Sequence, residues 1–529
     1  MHRTPLHGGE AAAAGGRKAV HWRAMHDDRH RPSEDARRAL ERAHELGFAL
    51  AGVAPAEPSR HGEHVRSWLA EQRHGEMHYL ADPLDVRLDP NRLVPGAKSI
   101  LLVADAYPTE EEKGPRGRGA GGSSVEGQAS DATRAGDPGT EHRSPVTGHR
   151  SPARSPLTIH HAPLTSRIAR YAWGDDYHKV MKKRLFALAD ALRERHADAS
   201  FRCCVDTAPL LEREHAAAAG MGWIGKHTLL LHPRHGSFLL LGAIVTDLDL
   251  ATSEAIGYPR SLVPPTDRCG TCTRCIDACP TGCIFDPRVN DYPGPHADGA
   301  GAGSEERAVG EDHTASPFPG VQRAGEAGVG SEERGAGSEE REAGSEERGA
   351  SVAAPPRAID ASQCISYLTI EHRSAIDPKL HAPMGDWLIG CDVCQDVCPY
   401  NNASATQHAL DTDTPAPREP LPIHLRYRPR EELAVGLDPF EVLQWAEDDR
   451  RRVFQGSALK RVKLDMLHRN ALIVLTNAAA GLPPDDDRRA AALAETQRLT
   501  DDPNASPLVR ETARVCQSRL QSRSVSAAK

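Results

Sequence analysis

A stretch reading CGTCTRCIDACP can do little other than wrap a metal cluster. It places Cys269, Cys272, Cys275 and Cys279 in C-x2-C-x2-C-x3-C-P spacing. Two-residue spacers let three thiolates converge on one cube-shaped [4Fe–4S] cluster, and the fourth cysteine faces away to ligate a second cluster. Further on, GCDVCQDVCPYN supplies Cys391, Cys394 and Cys398 in C-x2-C-x3-C-P spacing, a run that lacks its first cysteine. Cys364, in RAIDASQCISYL, is the upstream substitute. By this logic one cluster takes Cys269, Cys272, Cys275 and Cys398, and the other takes Cys364, Cys391, Cys394 and Cys279. Two structural zinc sites are the alternative, but the C-x3-C-P endings and a total of eight thiolates argue for clusters. A swapped fourth ligand holds the two clusters close, which suits the transfer of single electrons. Cys203, Cys204, Cys283 and Cys516 remain of the twelve cysteines. Cys283, four residues after Cys279, reads as a small buried hydrophobe, and Cys516 as a core residue on a helix face.

Regular patterns flank these runs. Residues 1–32 show none and are expected to be disordered. Ser33 is expected to cap a helix over SEDARRALERAHELG. FALAGVAP then reads as a strand, HVRSWLAEQRH as a helix and AKSILLVADAYP as a buried strand. This alternation predicts an α/β domain over 33–258, interrupted by a Gly-, Ser-, Pro- and charge-rich disordered insertion at 109–160. SRIARYAWGDDYHKVMKKRLFALADALRERH resumes with a long amphipathic helix, and a strand, a helix, a Gly-rich turn and two strands lead to the first cysteine run. A two-cluster ferredoxin-like domain is expected over 259–420. Its insertion at 289–356 repeats GSEER from Gly303, Gly330, Gly337 and Gly344. Without apolar a and d positions these repeats form a solvated linker rather than a coiled coil. Over 430–520, LHRNALIVLTNAAAG and SPLVRETARVCQSRL have the apolar spacing of stacked helix pairs, as in HEAT-type repeats.

The net charge of −9 at first argues against a nucleic-acid partner, but residues 301–350 alone carry 12 acidic and 5 basic residues. Elsewhere the chain is near neutral, and HLRYRPR and ALKRVKLDMLHR are local basic stretches suited to phosphate. Hydrophobic content of 39% is low for a wholly globular chain. No run of about 18 apolar residues exists to span a membrane. The N-terminus lacks a secretory apolar core. These features predict a cytosolic chain, where clustered cysteines are metal ligands rather than disulfides.

Ahead of the cysteines, VDTAPLLER sets Asp206 near Glu212 and Arg213. On spacing alone, Asp206 is a helix N-cap or a salt-bridge partner. Gly220, Gly222 and Gly225 in GMGWIGKHTLL let backbone approach a ligand closely, and are weak as a nucleotide fingerprint. No Ser–His–Asp or Cys–His arrangement stands out.

HGEMHYL, RLDPNRLVPGAKSILLV, ARYAWGDDYHK, VDTAPLLER, GWIGKHTLLL, CGTCTRCIDACPTG, CISYLTIEHR, GCDVCQDVCPYN and GSALKR follow one another along residues 35–108, 165–288 and 357–475. Together they resemble the epoxyqueuosine reductase family, cobalamin-dependent enzymes of the last step of queuosine biosynthesis. The resemblance implies an α+β multidomain chain with a nitroreductase-like α/β cobalamin-binding domain, a two-[4Fe–4S] ferredoxin-like module and C-terminal HEAT-like helices. It implies that electrons pass through the clusters to cobalamin, which takes a nucleophilic Co(I) state. The implied substrate is a tRNA whose wobble base carries epoxyqueuosine. That base must leave the anticodon stack to be reduced. Asp206 matches the family's proton donor, and a carboxylic acid that must stay protonated is expected to have a raised pKa from burial. Cobalamin contacts implied by the resemblance are Arg87, Arg213, Gly225, Lys226 and His227, with Arg170 and Asp206 added. The D-x-H-x-x-G motif of base-off cobalamin binding is absent, as it is in the family. The long insertions and Cys283, at a position expected to hold a small apolar residue, depart from the family's pattern.

Two other functions fit parts of the chain. A reductive dehalogenase also couples cobalamin to two clusters, but it would carry a twin-arginine export signal and a tyrosine donor. A ferredoxin-type electron carrier would not need the long ordered region before Cys269. The expectation is a monomeric cytosolic enzyme that receives electrons from a low-potential donor.

Overall fold

The computed structural model describes residues 31–108, 164–258, 269–285, 358–401 and 421–526. The chain divides into two units, residues 1–286 with 357–529, and residues 287–356. The second unit lies outside the described residues, as do residues 1–30 and the expected disordered segments at 109–160 and 289–356; residues 31 and 32, also expected to be disordered, instead begin the first helix.

Ala36, Ala39, Leu40 and Ala43 are buried on one face of the first helix, α1 (Pro32–Glu45), the i, i+3, i+4, i+7 spacing of an amphipathic helix. The expected cap, Ser33, lies inside the helix. Arg31 holds the N-cap position with no side-chain bond, and Pro32 starts the first turn. Proline presets the helical φ and lacks only an N–H that the first turn leaves unpaired anyway. β1 (Leu50–Pro55), α2 (Gly62–Ala70) and β2 (Ser99–Ala106) follow. After the strand pair's partner helix α3 (Tyr177–Arg193) come β3 (Phe201–Cys204), α4 (Glu212–Ala218) and β4 (Leu239–Thr246).

The four strands form one antiparallel sheet in the order β1-β2-β4-β3. β2 and β4 run together from Ser99 opposite Thr246 to Ala106 opposite Leu239. Alternate residues face opposite layers. Ala51, Val53, Leu101, Val103 and Ile244 pack under α1 and α3. Ala54, Ile100, Leu102, Ala104, Ala243 and Val245 pack with Ala216 and Ala219 near α4. Both faces are covered, which explains why β2 reads as a continuous apolar run rather than an alternating one.

The cysteine runs carry two short helices of the same length, α5 (Arg274–Asp277) and, later, α7 (Val393–Asp396). Between them lie α6 (Ile365–Ile370) and β5 (Trp387–Ile389). β5 pairs in parallel with the two-residue strand Arg167–Ile168. Helices α8 (Leu464–Ala480), α9 (Asp487–Asp501) and α10 (Pro507–Ser526) close the chain. They share one core with α6, β5 and residues 168–173, so the second cysteine run and the C-terminal helices are not separately packed bodies.

Three polar anchors hold these parts in register. Arg469, fully buried on α8, donates to the carbonyls of Leu368, His372 and Ser374. Its neighbour Asn470 donates to Thr369 and Leu388. Buried Asp105 on β2 accepts from Arg184 of α3 at 3.1 Å and from Tyr427 at 2.7 Å. In the HGEM segment, Gly75 has φ of 59°, and a Cβ there would lie 2.3 Å from the Tyr367 hydroxyl. That hydroxyl accepts from the Glu76 N–H at 2.7 Å, so the glycine lets this loop lie flat on α6.

Candidate active site and cluster cysteines

β3 ends at Cys204, and the chain turns at Asp206 with φ of 48°, a left-handed conformation uncommon outside glycine, asparagine and aspartate. The turn meets the N-terminus of α3. Tyr177 Oη donates to Asp206 Oδ2 at 2.9 Å, and His178 Nε2 lies 3.1 Å from the same oxygen. The other ring nitrogen, Nδ1, is 2.9 Å from Asp176 Oδ1. Carboxylates only accept, so an imidazole bonded to two of them donates from both nitrogens and is cationic. Burial opposes that charge, but the bonds to Asp176 and Asp206 outweigh it and raise the His178 pKa above its ordinary 6.5. Lys460 Nζ holds the second Asp176 oxygen at 2.9 Å.

Asp206 does not have the raised pKa expected of it. Burial does push it upward, but the hydrogen bonds from His178 and Tyr177, and then the charge of Arg461, hold the carboxyl down to about 2. Asp206 is also not a helix cap, since Leu211 occupies the N-cap of α4. It is a partner of the His178 cation instead.

The Asp206 side chain is 49% exposed, yet its charge is felt by Tyr79, Arg87, Glu212, Arg213 and Arg461. An accessible carboxylate encircled by so many groups lies in an open cleft. Among the described residues, three buried polar atoms in this neighbourhood lack a hydrogen-bond partner: Arg87 Nε, Glu212 Oε1 and His227 Nε2. Burial pushes Glu212 up to about 8, and burial followed by the Arg213 charge pushes His227 down to about 4. Both are therefore predominantly neutral near pH 7 and available as hydrogen-bonding groups. Such buried polar atoms without partners fit a large ligand rimmed by amides.

Gly220, Gly222 and Gly225 stand in G-x-G-x-x-G spacing, but they follow α4 and enter a hairpin, Trp223–Ile224 against Leu230–Leu231. A dinucleotide fingerprint requires a strand before and a helix after, so the glycines serve close packing. A Cβ on Gly225 would meet the His227 ring at 2.9 Å. Arg213 donates to the Thr228 carbonyl in the same turn. Lys226 is buried and donates to the Gly270 carbonyl at 2.8 Å, inside the first cysteine run. Trp223 and Leu231 pack with Cys269, Cys398 and Tyr400. One hairpin thus walls the cleft and seats the first cysteine group.

The thiols facing Cys275 are those of Cys269, Cys398 and Cys272. Those facing Cys394 are led by Cys364 and Cys391, followed by Cys275 and Cys279. Cys391 likewise faces Cys364 and Cys279. The two groups are adjacent, and the last cysteine of each run lies with the other run's group. Burial pushes Cys275 up to about 12 and Cys398 up to about 11. Such sulfurs are neutral alone and release protons when a metal binds. Among the described residues no three His, Cys, Asp or Glu side chains are close enough to share one metal ion. A cubane makes a different demand, one thiolate at each of four separate irons, and the two groups of thiols suit it.

Arg170 is not brought to the cleft. It is buried against the second cysteine run, where its backbone N–H donates to Asp392 at 2.9 Å and its guanidinium bonds Asp396 and lies 4.9 Å from the Phe238 ring. The basic stretches also turn partly inward. Lys460 pairs with Asp176, Arg461 lies 3.2 Å from Glu371, and Arg469 is in the core. Arg426 and Arg430 both pair with Asp175 at 2.7 Å. Sequence reasoning missed Tyr177, His178, Tyr79 and Arg461 as cleft residues. The only signal for the first two was their place in ARYAWGDDYHK.

A family model described as "Epoxyqueuosine reductase QueG, DUF1730" matches residues 148–207, and one described as "4Fe-4S double cluster binding domain" matches residues 349–401. The epoxyqueuosine reductase of Xanthomonas campestris pv. campestris is 31% identical over 480 residues, covering 91% of this chain and 94% of that protein. That of Cellulophaga algicola is 29% identical, covering 80% and 93%. Among solved structures, an epoxyqueuosine reductase crystallised with a tRNA-Tyr epoxyqueuosine-modified stem loop superposes with a TM-score of 0.57 at 22% identity, over 92% of this chain and 89% of that one. The Streptococcus thermophilus epoxyqueuosine reductase gives 0.55 at 19% identity, over 93% and 99%. An α+β fold shared along nearly the whole chain, a double-cluster module and a relative of this identity together make the chain a member of the epoxyqueuosine reductase family, an oxidoreductase.

Proposed function

We propose that this chain reduces the epoxide of epoxyqueuosine, at the wobble position of tRNA, to the alkene of queuosine. The balance is two electrons and two protons taken up and one water lost. The observation that carries this reading is Asp206, held between Tyr177 and His178 in an open cleft that one hairpin joins to the first cysteine group. A solved relative that holds an epoxyqueuosine-modified tRNA stem loop supports the substrate.

Cys269, Cys272, Cys275 and Cys398 would hold one [4Fe–4S] cluster, and Cys364, Cys391, Cys394 and Cys279 the other. Arg87, Arg213, Gly225 and His227 would hold cobalamin, and Lys226 would fix their loop against the first cluster. Bound cobalamin would supply a reduced, strongly nucleophilic cobalt, and the clusters would supply its electrons one at a time. Residues 33–258 then form the nitroreductase-like cobalamin domain, 259–420 the ferredoxin-like module, and 430–520 HEAT-like helices that support the tRNA. The enzyme works as a monomer in the cytosol. Among the described residues no helix is long and apolar enough to cross a membrane.

Asp206 is the proton donor to the opening epoxide oxygen. In the free enzyme it is an anion, so it must be recharged. His178, cationic and 3.1 Å away, is the group positioned to hand it a proton. Asp176 and Lys460 orient the ring. The test is anaerobic turnover. The chain is reconstituted with iron, sulfide and cobalamin, given a low-potential reductant and epoxyqueuosine-containing tRNA, and the digested nucleosides are weighed. Loss of one oxygen atom that Asp206→Ala abolishes is the expected result. An unchanged mass in protein that binds both clusters and cobalamin would remove the substrate assignment and turn attention to halogenated electrophiles.

A further inference from the structure

Cys283 was expected to be an ordinary buried hydrophobe. Its side chain is 2% exposed, but it does not lie among apolar groups alone. Its Sγ is 3.4 Å from the Sγ of Cys279, and Cys364 is its other thiol neighbour. These are two of the four cysteines assigned above to the second cluster, so that group contains a fifth thiol.

Its position is built in. Cys283 precedes the strand Ile284–Phe285, which pairs with Ala358–Ile359 just ahead of Cys364. The Cys283 carbonyl accepts from the Asp360 N–H at 2.8 Å. The short sheet therefore clamps Cys283 beside both ligands. On its other side, Gly282 takes a φ of 64° with nothing within 4 Å of where a Cβ would stand, which leaves room for the turn between Cys279 and Cys283 to shift. An alanine would fill the same space without offering sulfur.

We infer that Cys283 is a reserve ligand of the second cluster, placed to take over the iron held by Cys279. In the exchange the Cys279 sulfur–iron bond breaks and a Cys283 sulfur–iron bond forms. The Cys283 thiol proton passes to the departing Cys279 thiolate, and no electron is transferred. The two sulfurs are already in contact, so the exchange needs side-chain rotation and a small shift of the Gly282 turn rather than refolding.

This inference rests on the ligand assignment proposed above. The test compares the parent, Cys279→Ala, Cys283→Ala and the double variant, each reconstituted anaerobically with iron and sulfide. Iron and acid-labile sulfide per chain are measured, with electron paramagnetic resonance of the reduced protein. Cys279→Ala should keep the parent's iron content with an altered resonance from the new ligand. Cys283→Ala should keep both content and resonance. The double variant should fall to about half the iron, one cluster of two. A Cys279→Ala chain that loses as much iron as the double variant overturns the inference. If Cys279→Ala fails to fold, Cys279→Val, which fills more of the space and cannot ligate iron, takes its place in the same comparison. A parent chain that does not bind two clusters would instead refute the underlying assignment.

Discussion

Replacing His178 with glutamine tests how the proton reaches the substrate. An acid held at about 2 is protonated in roughly one molecule in 10^5 at pH 7, so Asp206 cannot act as a standing proton reservoir in the free enzyme. His178→Gln removes a hydrogen bond between charged partners, worth about 1.5–3 kcal/mol. At about 1.4 kcal/mol per pKa unit, the Asp206 carboxyl should rise by about 1–2 units. Because Asp206 is 49% exposed, solvent screening puts the shift toward the lower end. A shift of that size leaves Asp206 anionic at pH 7 and removes its proton source. The single-turnover rate of epoxide reduction should therefore fall by about 10^2–10^4, the usual reach of general acid catalysis. The pH profile carries the sign. His178 has a raised pKa, so its cation is fully present below 6.5 and is lost as pH rises through the higher folded value. The parent should lose rate on the alkaline side, and His178→Gln should lack that limb. A variant within about threefold of the parent rate, with the same alkaline limb, would refute the relay.

Two further substitutions test the frame around the site. Asp105→Ala leaves the Arg184 guanidinium buried without its carboxylate and takes the acceptor from Tyr427. Unfolding of the apo chain by urea should show a loss of about 3–5 kcal/mol, and a loss below 1 kcal/mol would mean that water replaces the pair. Arg469→Met strips the carbonyls of Leu368, His372 and Ser374 of their buried donor. At about 1–3 kcal/mol for each unsatisfied group, partly relieved by relaxation, the cost should be about 3–5 kcal/mol. Because these carbonyls lie on α6 and just after it, iron should leave the second cluster first, and equal loss from both clusters would contradict that placement.

Much of the cysteine chemistry was legible because ligand spacing is a local property. A two-residue spacer constrains where the next thiolate can point whatever the rest of the chain does, and proline after C-x3-C stops the short helix there. The strand over Ser99–Ala106 was equally plain, because burial on both faces leaves a continuous apolar run. The first helix began two residues earlier than expected, since proline can start a helix without the side-chain cap that Ser33 suggested.

The ionisation of Asp206 was not legible, and its expected direction was wrong. Only burial was weighed from the chain, and the Asp206 side chain is in fact half exposed. The two donors that outweigh burial come from α3, some 28 residues upstream, and the charge of Arg461 comes from the far C-terminal part. Electrostatics depend on distances in space, and no spacing rule connects those three segments. The same holds for Arg170 and for Lys460, whose sequence context suggested ligand contacts and whose actual partners are carboxylates brought in by folding. It holds again for Cys283, which differs from an ordinary core cysteine only because a two-residue strand pair sets its sulfur against Cys279. In this protein, the cluster-binding motif and the order of the elements were written locally in the chain. Protonation states, the cleft and the fifth thiol exist only once distant segments meet, because each is a sum over neighbours that only the tertiary structure supplies.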